Sequence, residues 1–179
     1  SLDVLVDEAQ ELSVEYQTDA FKPSLPSTGL SDYAKEHQKE LDYPYHTANI
    51  TCLCFSNVDP DLLATGSADK TLKISNFVTG QLLYHITEHE GGVISCDFHP
   101  TRADILLLTS SDTTFSLVKL LGDGKYSIER FHDHHKRHIV RGKWNVDGTQ
   151  FATASYDHSV NIFCMSLHNS LSSHTSQQS

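Results

Sequence analysis

The chain repeats itself, and the repeat constrains its fold more than any other feature. Registers starting at His46, His89 and His135 place a β-branched residue four positions on (Ile50, Val93, Ile139). A large aromatic lies five beyond that (Phe55, Phe98, Trp144). Each register then reaches a serine (Ser67, Ser110, Ser155) and, two residues later, an aspartate (Asp69, Asp112, Asp157). Apolar pairs follow three and five residues after the aspartate: Leu72 and Ile74, Phe115 and Leu117, Val160 and Ile162. The histidines are 43 and 46 residues apart, a period at which each copy is one supersecondary unit.

The physics of one unit follows from these positions. Apolar residues two apart line one face of a strand, because side chains alternate across it. In the first copy the pattern predicts strands at about 50–56, 62–67 and 70–76, with a fourth near 81–87. Turn segments break the apolar runs: NVDPD at 57–61, VTG at 78–80, GDG at 122–124 and VDG at 146–148. One small sheet cannot bury both of its faces, so the units must stack on one another. The expectation is an all-β fold over 46–164 with no helix inside it. The third copy has no clear outer strand after Phe163. Three stacked sheets would leave apolar faces open at both ends.

Composition separates the rest of the chain from this unit. Net charge is -10, and residues 1–45 hold ten acidic and three basic side chains. The shift near Tyr45 marks a boundary. Leu2, Leu5, Val6, Ala9 and Leu12 fall at helical spacing, and residues 31–41 read as a second short helix between Ser31 and Pro44. FKPSLPSTG at 21–29 reads as a linker, and the Ser-rich tail 165–179 as disordered. The acidic balance argues against direct nucleic-acid binding, which needs clustered Lys and Arg. No segment approaches the ~20 consecutive apolar residues that span a bilayer. The first residue is Ser1, so the true N-terminus is expected to lie upstream. Cys52, Cys54, Cys96 and Cys164 form no CxxC pair and read as reduced, structural thiols of an intracellular protein. Cys96 takes the place of Leu53 in the repeat, as core filler.

Segments LLATGSADKTLKI (62–74) and FATASYDHSVNIF (151–163) resemble the middle of WD40 repeats. The resemblance covers roughly 46–164, as units 46–88, 89–134 and 135–164. It implies a partial β-propeller of about three four-stranded blades, and, with fewer blades than a closed ring, a fragment of a longer propeller protein. The family's namesake Trp-Asp pair would fall at Ser75-Asn76, Val118-Lys119 and Phe163-Cys164, and none carries it. The resemblance therefore implies a shortened structural network in each copy. Its members are His46, Ser67 and Asp69; His89, Ser110 and Asp112; and His135, Ser155 and Asp157.

Three chemical readings compete with a purely structural one. Ser, His and Asp together can form a hydrolase triad, but a set recurring three times at one spacing reads as architecture, and no GxSxG elbow accompanies it. The loop FHDHHKRHIV (131–140) holds His132, Asp133, His134, His135 and His138, which can bind zinc or sense pH. With His135 assigned to the repeat, the rest reads as a solvated loop. GDGK at 122–125 is a tight turn, not a phosphate-cradling loop.

The expected function is a non-catalytic scaffold that holds other proteins in a multisubunit complex, in the cytoplasm or nucleus, with no cofactor, membrane or small-molecule substrate. In the resembling family the loops before the first strand and between the second and third share one binding face. That face maps to Asn49, Ala68, Ser111, Lys136, Arg137, His138 and Tyr156, with Arg137 and Tyr156 as leading anchors because Arg and Tyr are favoured hot-spot types. Two alternatives stand beside it. One is a substrate receptor of a ubiquitin ligase, although Val118-Lys119-Leu120-Leu121 lacks both the Trp-Asp and the Arg of an adaptor-binding box. The other is a metal-binding or enzymatic role for the His-rich loop 132–138.

Overall fold

Short β-rich runs between tight turns become strands in each copy. The computed structural model describes residues 46–165 and 172–174. The expected helices and linker in 1–45 lie outside the described residues, as does most of the tail. The first copy forms β1 (Ile50–Phe55), β2 (Leu62–Ser67), β3 (Leu72–Asn76) and β4 (Gln81–Ile86). The second forms β5 (Val93–His99), β6 (Arg102–Ser110), β7 (Phe115–Gly122) and β8 (Lys125–Phe131). The third forms β9 (Ile139–Trp144), β10 (Gln150–Ser155) and β11 (Val160–Cys164), with β12 (Ser172–His174) paired on β11. That pairing corrects the expectation that no outer strand follows Phe163: backbone groups of a Ser-rich stretch complete the ladder without an apolar pattern to announce it.

Each sheet is a four-stranded antiparallel meander in chain order. No helix occurs among the described residues. The first strands β1, β5 and β9 pack side by side. This is the arrangement of adjacent blades in a β-propeller, with the first strand innermost.

Burial follows from how many neighbours a sheet has. The middle sheet has one on each side, so Ile105 to Ser110 of β6 are all buried, with Leu106 and Leu108 facing the first sheet and Ile105 and Leu107 the third. Alternation across a strand allows this only where both faces are covered. Leu72, Ile74, Cys96 and Phe98 fill one seam; Phe115, Ile139, Trp144, Phe151 and Phe163 fill the other. Positions equivalent in sequence differ at the ends of the stack. Leu72 and Ile74 are fully buried, whereas Val160 and Ile162 of the third copy are 58% and 44% exposed. Phe55 is 54% exposed, whereas its counterparts Phe98 and Trp144 are buried.

The seams also carry polar ties. The Thr51 hydroxyl donates to the Val93 carbonyl between the first two sheets. Between the second and third, Ser95 Oγ donates to the Gly142 carbonyl at 3.3 Å, and Asp97 accepts from Lys143 Nζ at 2.5 Å and from the Trp144 N–H at 2.9 Å. Gly142 sits where a Cβ would collide with the neighbouring sheet, and Gly66 where it would collide with both its own sheet and the next. At Gly66 it would meet Cys52 Sγ at 2.6 Å and Val93 Cγ1 at 2.7 Å.

Candidate interaction face and its structural network

The loop before the first strand and the turn between the second and third strands meet at one edge of every sheet. The tie is an aspartate. In the third sheet His135 Nδ1 lies 3.0 Å from Asp157 Oδ2, and the Lys136 N–H donates to the same oxygen at 2.8 Å. Since the carboxylate accepts, Nδ1 carries the proton and Nε2 accepts from the Thr153 hydroxyl at 2.8 Å. In the first sheet His46 Nδ1 lies 3.0 Å from Asp69 Oδ2, and Nε2 faces Thr65 Oγ1 at 3.1 Å. The Thr47 N–H donates to Asp69 at 2.8 Å.

The second sheet departs from this scheme. Leu108 stands where the other sheets have Thr65 and Thr153, and buried His89 Nε2 has no hydrogen-bond partner. Arg130 reinforces the other side of the ring, donating through Nη2 to Asp112 at 2.9 Å and through Nε to Thr114 Oγ1 at 3.1 Å.

The expected serines sit one step away from the histidines. Ser67 Oγ donates to the Ala48 carbonyl and accepts from the Asp69 N–H; Ser110 and Ser155 do the same with the Gly92 and Arg137 carbonyls and the Asp112 and Asp157 N–H groups. They cap the turn and do not touch the imidazole. The oxygen that does is a threonine two residues earlier, Thr65 or Thr153, which the sequence reading passed over. It also missed the hydroxyl two residues after each aspartate. Thr71, Thr114 and Ser159 each donate to that aspartate through both side chain and backbone. Their recurrence at one spacing was the available signal. Arg130 carried none.

The intervening residue adopts the left-handed region in all three turns: Lys70 at φ 74°, Thr113 at 74° and His158 at 71°. Repetition of this conformation by three unlike side chains shows that the aspartate turn imposes it.

All three aspartates are held far below the ordinary carboxylate range. Burial acts in the opposite direction and is outweighed by the donors around them. For Asp69 these are the Thr71 hydroxyl and the Thr47 and Thr71 N–H groups; for Asp112, His89 and Thr114; for Asp157, Ser159 and the Lys136 N–H.

This framework positions the expected binding residues. The N–H groups of Ala68, Ser111 and Tyr156 donate to the carbonyls of Asn49, Gly92 and His138, so one residue of each turn is stapled to the preceding loop. Asn49, Ala68, Lys136, Arg137, His138 and Tyr156 are exposed and Ser111 half-buried; Tyr156 is 60% exposed. The rings of His138 and Tyr156 lie 6.4 Å apart. A Cβ on Gly92 would sit 3.1 Å from Ala68 Cα, so the loop of the second sheet adjoins the turn of the first.

The His-rich loop does not converge on a point. His135 is buried on Asp157, and His138 turns to Tyr156. His134 is exposed, as expected of a solvated loop, with its ring edge-on to Phe163 at 5.1 Å and near Phe115 at 5.6 Å. Partial desolvation against these rings lowers its pKa from the usual imidazole value, helped by neighbouring His135. No group of three or more His, Cys, Asp or Glu side chains among the described residues is arranged to hold a metal ion. No described helix is long and apolar enough to cross a membrane.

The chain belongs to the WD40 repeat family: the model for the WD domain, G-beta repeat, matches residues 38–76, 80–117 and 126–164. Proteins built from these repeats generally act as protein-interaction scaffolds. Among similar proteins, Pre-mRNA-processing factor 19 homolog 2 of Arabidopsis thaliana is 27% identical over 139 residues, covering 76% of this chain and 26% of that protein. Coronin-7 of Rattus norvegicus is 31% identical over 136 residues, covering 72% of this chain and 14% of its own length. The chain thus spans about a quarter or less of these two relatives. A solved chain of a humanized mutant of the Chaetomium thermophilum Polycomb Repressive Complex 2 superposes with a TM-score of 0.61 at 18% identity, over 68% of this chain and 27% of that one. That likeness speaks to fold alone.

Proposed function

We propose that this chain is a three-blade segment of a longer intracellular propeller protein, of the cytoplasm or nucleus. In this reading it holds a partner protein of a multisubunit complex on the edge that carries Asn49, Ala68, Ser111, Lys136, Arg137, His138 and Tyr156. The repeat units run 46–88, 89–134 and 135–164. The role is non-catalytic, without direct nucleic-acid or membrane binding and without a small-molecule substrate. The observation that carries the reading is the stapling of this edge. Backbone bonds fix the loops while Lys136, Arg137 and Tyr156 stay exposed. Binding to side chains already held in place avoids the ordering cost that flexible loops incur.

The same observation makes the test clean. Arg137 and Tyr156 make their hydrogen bonds to the framework through backbone atoms, Arg137 O accepting from Ser155 Oγ and Tyr156 N donating to His138 O. Replacing both side chains with Ala should therefore leave the fold intact and weaken partner capture. A control at the opposite edge, Val146→Ser, should retain it. Full capture by a folded double variant would remove this face from consideration.

The segment reading is supported by the exposure of Val160 and Ile162, whose counterparts Leu72 and Ile74 are sealed by the next sheet. It predicts that the parent transcript encodes further repeats adjoining this segment. A full-length transcript encoding no more repeats than these three would refute it.

A further inference from the structure

The two seams between sheets are built on the same positions with different chemistry. In the seam between the second and third sheets, Ser95 reaches Gly142, and Asp97 reaches Lys143 and Trp144. In the seam between the first and second sheets the positions of Ser95, Asp97 and Gly142 are taken by thiols, Cys52, Cys54 and Cys96. Cys52 Sγ lies 3.6 Å from Cys96 Sγ, and Cys54 Sγ lies 3.3 Å from it. Cys52 and Cys54 are half-buried on β1, and Cys96 is buried on β5. Three sulfurs thus meet across a seam that Gly66 and the Thr51–Val93 bond hold tight. Cys164 lies apart on β11, beside Gln150.

We propose that Cys52, Cys54 and Cys96 form an oxidation site, at which a peroxide converts Cys96 and one β1 thiol into a disulfide joining the first sheet to the second. The half-buried β1 thiols are the ones a small oxidant can reach. Cys52 is the more reactive, because its hydrogen bond with Cys96 holds it below the usual thiol range. Cys96 is pushed well above that range by its contacts with Cys52 and Cys54 and by burial, so it acts second.

In the first step the Cys52 thiolate attacks hydrogen peroxide. An S–O bond forms, the O–O bond breaks, and hydroxide leaves, giving a sulfenic acid. In the second step the Cys96 sulfur attacks that sulfur. The S–S bond forms, the S–O bond breaks, and the departing hydroxide takes the Cys96 proton as water. Two thiols are oxidised and one peroxide is reduced. The sulfurs need to close from 3.6 Å to about 2.0 Å. Cys54, 3.3 Å from Cys96, is placed to exchange into the same bond. Cys52 and Cys54 are two residues apart on one strand and poorly placed to bond each other, so Cys96 is the required partner.

The test treats the full chain with a small molar excess of hydrogen peroxide, blocks remaining thiols by alkylation, and maps disulfides by mass spectrometry without reduction. The expected result is loss of two of the four thiols. They should be recovered as one intramolecular cross-link between the Cys96 peptide and the β1 peptide, reversible by dithiothreitol. Cys96→Ala should abolish the cross-link and leave a β1 sulfenic acid trappable by dimedone, formed more slowly than the cross-link in the wild type because the Cys96 hydrogen bond is gone. Should that variant fail to fold, the Cys52→Ser/Cys54→Ser double variant reads the same loss from the β1 side. Preferential oxidation of Cys164, irreversible sulfonic acid at Cys52 without a cross-link, or links only between molecules would overturn the proposal.

Discussion

Truncating Asp112 to Ala should destabilise the protein by about 3–4 kcal/mol. Oδ1 of this residue accepts from the Thr114 N–H at 3.0 Å and the Thr114 hydroxyl at 2.5 Å. Oδ2 accepts from the Glu90 and Gly91 N–H groups at 3.0 and 3.2 Å and from Arg130 at 2.9 Å, and faces His89 Nδ1 at 3.3 Å. Not all of these donors are stranded by the change. Glu90 and the Arg130 head reach solvent and can bond water instead. Thr114 and His89 are buried and keep only a long 3.4 Å contact with each other. A buried donor left unmade costs about 1–3 kcal/mol, so two of them, with partial losses at the rim, reach the stated figure. Against a total stability of roughly 5–15 kcal/mol this is a large fraction. Urea unfolding at pH 7, read by circular dichroism, measures it, with Ser111→Ala as a neighbouring control that should stay within about 0.5 kcal/mol. Acid provides a second arm. A carboxyl whose folded pKa lies below its unfolded value contributes stability in full above the unfolded value, near 3.9. That contribution is lost as pH falls towards the folded pKa. The wild type should therefore lose stability progressively below about pH 4, and Asp112→Ala should show a shallower acid loss. A measured cost under about 1 kcal/mol, with an unchanged acid profile, would mean that the aspartate turn does not hold the sheet edge together.

Three further outcomes check other parts of the structure. Thr113→Asn should stabilise by about 1 kcal/mol in the same unfolding assay, because a β-branched residue is strained at φ 74° and Asn tolerates that region. Ile74→Ala should cost about 2–5 kcal/mol, as buried large-to-small changes do, while Ile162→Ala at the equivalent exposed position should cost under about 1 kcal/mol in this chain; equal costs would contradict the open end face. Gly66→Ala should cost about 1–3 kcal/mol through overpacking against Cys52 and Val93, lowering the thermal midpoint.

The fold was legible because three copies repeat their constraints at matched positions. Strand order, the turns and the all-β class follow from period-2 apolar pairs and from where Asp, Gly and Pro interrupt them. β12 was not legible: its contribution is backbone pairing, and Ser172–His174 has no apolar face to betray it. The His–Asp tie was visible as a recurring spacing. The serines recur in all three copies and bond the aspartate backbone, whereas the imidazole's own partner, Thr65 or Thr153, is interrupted by Leu108. A repeat read by strict recurrence favours the invariant position, and here the invariant serine caps a turn while the variable threonine meets the ring. The thiol cluster was half visible. Alternation put Cys52 and Cys54 on one face, but their meeting with Cys96 depends on how one sheet stacks on the next, which no spacing within a repeat encodes.

The middle sheet shows how a blade can lose one tie and remain built. Leu108 removes the hydroxyl that would satisfy His89 Nε2, yet it places a fully buried apolar side chain in the seam against the first sheet. Burying a leucine is worth about 1.5–3 kcal/mol, comparable with the cost of one unsatisfied buried acceptor. Arg130 then adds two bonds to the Asp112–Thr114 side of the ring, a charge-assisted one among them. The sheet with neighbours on both faces therefore relies more on apolar burial than on its edge network. The end sheets, each with one face open, keep the complete His–Thr–Asp chain. Thr153→Val should accordingly destabilise the protein, by about 1–3 kcal/mol, because the third sheet has no second seam to offset the lost bond to His135. Leu108→Thr, which restores the tie in the middle sheet, should gain nothing net, since the leucine burial it removes is of the same size. Urea midpoints for the two single variants decide the matter, and a Leu108→Thr protein more stable than wild type by 2 kcal/mol or so would show that the network outweighs the seam.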